Sequence, residues 1–405
     1  MVEKKRVTMT PIGKLQREAE KRNESLEGGM LWRALDFLLY LILIVLIIVG
    51  ILLSMIRAWA NFYTNHIYRF LREPFTHITE WIPFPLGEVL IYVGACLIIL
   101  IIPILILLIF LRKKNGYKAF VSGYFKTLVL IILSVLFIYT YQWLTPYRSS
   151  VLGNALTSNH DYTVEEMHTL YIYVLDHINE ECVNVPRDEN GNIIYDNKTA
   201  TEQKVSVAMN SVSDEFTRLS GYYPTIKPAM CSDVLDWMNI GGYTYPYTME
   251  TTYNKYIHRL YFPTLYAHES SHHMGYYKEH EANFLSYVSL INSDDPILRY
   301  SGYLYVLNYV DDAYYKSCLA TGNEDAYFND WEEHSLSPLV YMDVLAARQE
   351  AEELYEEDEH YLEEYADEAE EISDVGWSTQ AEILQEYNYD GVVLLMLRYY
   401  DGKLY

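Results

Sequence analysis

LYAHESSHHMGYYKEHEANF, residues 265–284, is the stretch from which the rest of the chain is best read. His268 and His272 stand four residues apart, so on a helix their imidazoles share a face and can point at one ion. Glu269 lies about 100° further round. There it places a carboxylate beside such an ion without ligating it, where a general base for a metal-bound water belongs. Pro263 suits the first turn of a helix and Gly275 the position just past its end, which predicts a helix over Pro263–Met274.

A catalytic zinc site takes three protein ligands and leaves a fourth position open. The third histidine of the metzincin pattern would fall where Lys278 stands, so the missing ligand is expected to be a glutamate. Glu279 begins a second expected helix, and on it Glu279 and Glu281 are about 200° apart, so only one can face the ion. Glu279, on the same face as the small Ala282, is preferred; Glu281 is the alternative. His280 is a weaker candidate, and His273 is expected to point elsewhere.

Outward from this stretch, the chain divides sharply by composition. Residues 1–145 carry 16 Lys+Arg and 9 Asp+Glu, net +7, and residues 146–405 carry 14 and 46, net −32. So acidic a region repels phosphates and excludes nucleic acid as a partner. The basic part holds three apolar runs: Ala34–Ile56 and Val89–Leu111, of 23 residues each, and the shorter Thr127–Leu144. At about 1.5 Å per residue, 23 residues cross a hydrocarbon core of roughly 30 Å. The third run ends in Tyr139, Tyr141 and Trp143, residue types favoured at a membrane interface.

Eight Lys/Arg lie in residues 1–33, three in 57–88 and five in 112–126. The positive-inside bias then predicts a cytoplasmic tail over 1–33, spans over 34–56, 89–111 and 127–144, and an extracytoplasmic segment over 57–88. It also predicts a cytoplasmic loop over 112–126 and an extracytoplasmic domain over 145–405, making a multi-pass protein of the cell (plasma) membrane. An interfacial helix is expected near Phe62–Leu71.

The acidic region reads as mainly α. Thr163 and Glu166 form a capping box for a helix through Ile178. A second helix is expected over Glu202–Leu219, a short one capped by Ser232, and others over Ile297–Val310 and Ser337–His360. The run Glu350–Glu371 reads as the solvated face of a helix. Gly241–Glu250, with alternating threonine and aromatic residues, predicts a small edge-strand or hairpin region against which a peptide could add as a strand. Of four cysteines, Cys96 lies in an apolar run; Cys182, Cys231 and Cys318 leave room for one disulfide, and no CxxC spacing exists.

The chemistry these residues suit is zinc-assisted hydrolysis of a protein or peptide substrate, with Zn²⁺ on His268, His272 and Glu279 and Glu269 as general base. Tyr300, Tyr303 and His258 are open choices for an oxyanion donor, with Glu250 and Asn283 as further contacts. The rival reading is a non-catalytic or signalling membrane protein with a zinc-binding sensor domain. Glu269 discriminates between them, because a purely structural metal site has no need of it.

The stretch 268–283 resembles the gluzincin membrane peptidases of the CAAX-prenyl-endopeptidase and HtpX-like clan, whose HExxH is followed by ExxAD; here Asn283 replaces the aspartate and the gap is shorter. A closer resemblance, from about Ile67 to Tyr400, is to an uncharacterised bacterial zincin-like membrane family of unknown function. Its members look like three N-terminal membrane helices followed by a domain with HExxHxxGxxxExEANF. The likeness is carried by Pro83–Glu88, Tyr245–Glu250, Glu279–Phe284, Arg299–Tyr303 and Tyr389–Tyr400. It implies an extracytoplasmic, α-rich, zincin-like domain and leaves the activity to be argued from the site.

Overall fold

Among the described residues, three helices are long and apolar enough to cross a membrane: α1 (Ala34–Ser54), α4 (Leu86–Leu111) and α5 (Asn115–Tyr147). The computed structural model describes residues 34–149, 152, 156, 160–357 and 390–405. The basic tail over 1–33, the spacer at 150–159 apart from Leu152 and Leu156, and the acidic run beyond residue 357 lie outside the described residues. Helix α5 begins at Asn115, so most of the loop expected over 112–126 is helix, with Lys114 at its N-cap. Pro103 removes one backbone donor from α4. The tyrosines of α5 meet the carbonyls around it, Tyr124 at Leu97 and Tyr117 at Ile104 (2.8 Å).

Between α1 and α4 the chain forms two helices in place of the single one expected near Phe62–Leu71. These are α2 (Arg57–His66) and α3 (Tyr68–Glu80), which meet at Ile67. The rest of the structure is mainly helical. Helix α6 (Val164–Asn184) carries the capping box of Thr163 and Glu166. Helix α7 (Lys198–Ser211) starts earlier than expected because Asn197, rather than a residue near Glu202, caps it at Ala200 N (3.0 Å). Helix α8 (Ser232–Trp237) has Cys231 at its N-cap; the Ser232 hydroxyl donates to Ala229 O instead of capping.

The sheet has the order β1-β3-β2: β1 (Lys227–Pro228) pairs parallel with β3 (Glu250–Tyr253), and β3 antiparallel with β2 (Gly242–Tyr245). Strand β2 is an edge strand, and Pro246 sits in the turn that follows it. Helix α9 (Phe262–His273) and helix α10 (Glu279–Ile291) form an antiparallel pair, and ten residues of each are buried. Helix α11 (Pro296–Thr321) runs far beyond the expected Val310 and packs along α6. Asp295 caps its start and Gly322, at φ 70°, ends it. Helices α12 (Glu324–Glu333), α13 (Pro338–Glu357) and α14 (Asp390–Tyr400) complete the described part. All four cysteines are free.

The apolar helices and the sheet are fastened together by two buried acids. Glu250 of β3 accepts from Leu86 N (3.0 Å) and Gly87 N (2.9 Å) at the start of α4, where the helix dipole favours a negative charge. Lys227 neutralises it at 2.6 Å. Glu88 reaches the other way, accepting from Met230 N, Cys231 N and Tyr243 Oη. Removing Glu250 strands a buried lysine, a change that costs roughly 3–5 kcal/mol. Thermal unfolding of the detergent-purified chain should show Glu250→Ala lowering Tm by on the order of 10 °C. Adding Lys227→Met should recover much of the loss, and an unchanged Tm for Glu250→Ala would contradict this account.

Candidate metal centre

Helix α9 ends because Gly275 adopts φ +95°, a left-handed conformation in which a side chain would be strained. Its missing Cβ also admits Thr64 and Tyr68, whose atoms would lie 3.0 and 3.2 Å from one. Gly275 N and Tyr276 N then bond back to His272 O (2.9 Å) and Ser271 O (3.0 Å), closing the end of the helix. Lys278 is extended, and the chain re-enters helix at Glu279. This reversal lays the first turn of α10 against the second half of α9.

His268, His272 and Glu279 are thereby gathered, their ligand atoms within 4.8 Å of one another. The Nε2 atoms of the two histidines are 3.0 Å apart, and Glu279 lies 3.2 Å from His268 Nε2 and 3.6 Å from His272 Nε2. Two donors on a tetrahedral zinc, each about 2.0–2.1 Å from it, stand roughly 3.3 Å apart. The three separations bracket that edge, so the donor set and spacing fit zinc. His272 Nδ1 faces Tyr276 O at 2.9 Å, which leaves Nε2 free to ligate. His268 Nδ1 is buried without a hydrogen-bond partner among the described residues.

The electrostatics of the cluster favour a cation. Burial works against a charged His272, but Glu279 and Glu269 outweigh it and hold the imidazole pKa up at about 9. Burial also opposes the Glu279 carboxylate, yet His272 and His268 keep it well below the usual range. These are two views of one attraction. Half of the Glu279 side chain is open to solvent, so screening reduces its strength.

Glu269 differs in being buried, and burial raises its pKa against the pull of the two histidines. The Thr244 hydroxyl lies 2.8 Å from the Glu269 carbonyl and 3.0 Å from its Oε2, fixing the carboxylate from β2.

A cavity of about 280 Å³ adjoins these groups. Trp143 and Tyr147 of α5, Tyr243 and Thr244 of β2, and Tyr277 contribute to its walls. The Tyr277 ring stacks on His272 with centroids 6.0 Å apart, while its hydroxyl meets Tyr68. A second cavity, of about 300 Å³, lies beside Lys198, Lys204 and Arg259. Each of those cations is already paired, with Glu202, Asp295 and Glu350, so the cavity offers no comparable set of ligands.

Several candidates from the sequence lie elsewhere. Glu281 is buried, its charge acts on Arg218 and Tyr276, and it does not line the cavity. Tyr300 donates to Asp343 (2.9 Å), Tyr303 meets Tyr173 (3.3 Å), and His258 pairs with Glu350 (2.7 Å); none lines the cavity. Glu250 accepts two backbone hydrogen bonds at the start of α4 and does not line the cavity.

Asn283 stands one turn behind Glu279. It accepts from Tyr305 Oη (2.6 Å) and donates to Tyr309 Oη (3.2 Å). The charges of Glu279 and Glu269 both act on Tyr305, so Asn283 holds a hydroxyl behind the site and does not line the cavity. His273 is buried beside Thr76, and burial and Arg72 push its pKa well down. The β2 register would have exposed the role of Thr244, but nothing local in the sequence places Trp143, Tyr147 or Tyr305 here.

A family model described as Protein of unknown function (DUF3810) matches residues 63–379, which takes in α4, α5 and the whole α9–α10 pair. No curated protein and no solved structure matches the chain. The geometry separates the two glutamates experimentally. In chelator competition on the full-length protein, Glu279→Gln should weaken zinc binding by more than about 100-fold, beyond the 10–100-fold effect of an outer-shell change. Glu281→Gln should stay within that outer-shell range, and equal losses would refute the assignment.

Proposed function

The chain belongs to the DUF3810 family of proteins of unknown function, and from its own residues we propose that it is a membrane-anchored zinc metallopeptidase. The observation that carries this reading is the convergence of His268, His272 and Glu279 at 3.0–3.6 Å beside the buried carboxylate of Glu269. His268, His272 and Glu279 would hold Zn²⁺. When bound, the ion supplies Lewis acidity, lowering the pKa of a water towards about 7 and polarising a carbonyl.

The chain's own groups would do the rest. The Glu269 carboxylate, held in place beside Thr244, takes the proton of the attacking water. A new C–O bond forms at the scissile carbonyl, the C–N bond breaks, and Glu269 passes its proton to the leaving nitrogen. The products are a carboxylate and an amine. A raised Glu269 pKa suits a group that must both accept and return a proton. The free edge of β2, which carries Thr244, offers main-chain groups to an extended peptide.

The Lys/Arg distribution supports an extracytoplasmic site, with the N-terminal tail in the cytoplasm and the three apolar helices crossing the cell membrane. A reporter fused after Tyr405 should report from outside the cytoplasm; a cytoplasmic signal would overturn this orientation. For the chemistry, Glu269→Gln should keep zinc and lose about 10²–10⁴ in kcat on casein or a peptide library. Zinc-loaded wild type that cuts no better than this variant would remove the peptidase reading.

A further inference from the structure

The cavity at the metal centre is walled partly by the third apolar helix. Trp143 stacks between Tyr139 (5.0 Å, 20°) and Tyr147 (4.9 Å, 14°), so the three rings form a ladder down one face of α5. Trp143 and Tyr147 line the cavity itself. The ladder therefore runs from the reacting groups along a helix apolar enough to lie in lipid.

The level of that wall can be fixed from the helix ends. Lys126 of α5 pairs with Asp36 of α1 at 2.9 Å, and both are charged groups that belong at a membrane surface. From Lys126 a helix rises roughly 26 Å to Trp143 and 32 Å to Tyr147 at 1.5 Å per residue, against a hydrocarbon core of about 30 Å. Trp143 and Tyr147 thus reach the opposite interface, where tryptophan and tyrosine are favoured. The same level holds the end of α1, where Arg148 Nη1 donates to Ser54 Oγ at 2.9 Å.

Strand β2 cannot stand off from this level. Tyr243 Oη donates to Glu88 in the first turn of α4 (2.9 Å), and a Cβ on Gly87 would overlap the Tyr245 ring. The edge that would hold a peptide is clamped at the same end of the bundle as the aromatic ladder.

We propose that the substrate is a membrane-tethered polypeptide, cut in its juxtamembrane segment a few residues from its transmembrane or acyl anchor. The proposal rests on the peptidase reading and adds the class of substrate. A cavity at the height of the headgroups is shielded by lipid from a folded soluble protein. A chain leaving the bilayer along the ladder enters it directly. At about 3.3 Å per extended residue, eight residues reach roughly 26 Å, ample to carry a chain from the hydrocarbon edge through the headgroups to the cavity. The scissile bond should therefore fall within about eight residues of the anchor.

The test uses the full-length, zinc-loaded protein in phosphatidylcholine/phosphatidylglycerol vesicles. The probe is a palmitoylated peptide with a 30-residue randomised segment, and product masses report the cut positions. All positions share one anchor, so surface concentration cannot bias the comparison. Cuts confined to the first eight or so residues, at least about tenfold enriched over the distal half, are the expected result. Cuts spread evenly along the segment would overturn the substrate class and leave the peptidase reading standing.

A second arm reads binding without turnover: zinc-loaded Glu269→Gln is crosslinked to the same peptide carrying a photoreactive residue at position 5 or position 25. Crosslinks from position 5, mapped to α5 and β2, are expected. Equal crosslinking from both positions, or none, would overturn the inference whatever the cleavage arm shows. Selective crosslinking with no cleavage by wild type would support the binding site and sink only the peptidase reading.

Discussion

The carbonyl of Gly275 and the guanidinium that holds it are the constraint on which the site depends. The left-handed φ of Gly275 reverses the chain between the two histidines and Glu279. Arg218 Nη1 donates to Gly275 O (3.1 Å) and to Ser149 Oγ (3.0 Å) near the end of α5, while its Nε donates to Asn65 of α2 (2.7 Å). Burial lowers the Arg218 pKa to about 10, which still leaves it charged near neutrality. The bonds from Nη1 and Nε offset part of the cost of burying this charge, while Nη2 is buried without a hydrogen-bond partner among the described residues. One side chain therefore ties the turn that gathers the candidate metal ligands to two segments flanking the apolar helices.

A second set of contacts makes the same connection from the other side. His273 O receives Tyr68 Oη (3.3 Å) and Arg72 Nη1 (3.1 Å), and Thr79 donates to Thr248 O (3.2 Å). The otherwise unsatisfied His273 carbonyl at the end of α9 is thus used to seat α3. With Glu250 and Glu88 at the start of α4, the apolar helices and the His268–His272–Glu279 cluster form one packed body instead of a globular domain on a tether. That arrangement gives the α5 aromatics a place in the cavity wall.

What was legible in the sequence was local. The i, i+4 histidines, the glycine after them and the acid that restarts the helix all act within about a dozen residues, and the structure brings His268, His272 and Glu279 together. The three long apolar helices were equally plain from hydropathy. What was not legible depends on partners far apart in the chain. Tyr300 and Tyr303 offered hydroxyls, but their phase on α11 turns them towards Asp343 and Tyr173, while Tyr305 reaches Asn283. Glu250 closed an aromatic strand and looked available, yet its oxygens are taken by residues more than 160 positions earlier in the chain. Arg218 carried no local signal at all, since its partners come from positions 65, 149 and 275.

The most direct test of the central claim is X-ray absorption at the zinc edge of the full-length protein, purified and loaded with one equivalent of metal. The account predicts two imidazole nitrogens and oxygen donors at roughly 2.0–2.1 Å, with no sulfur in the coordination shell. Sulfur at about 2.3 Å, or a shell without imidazole, would contradict it.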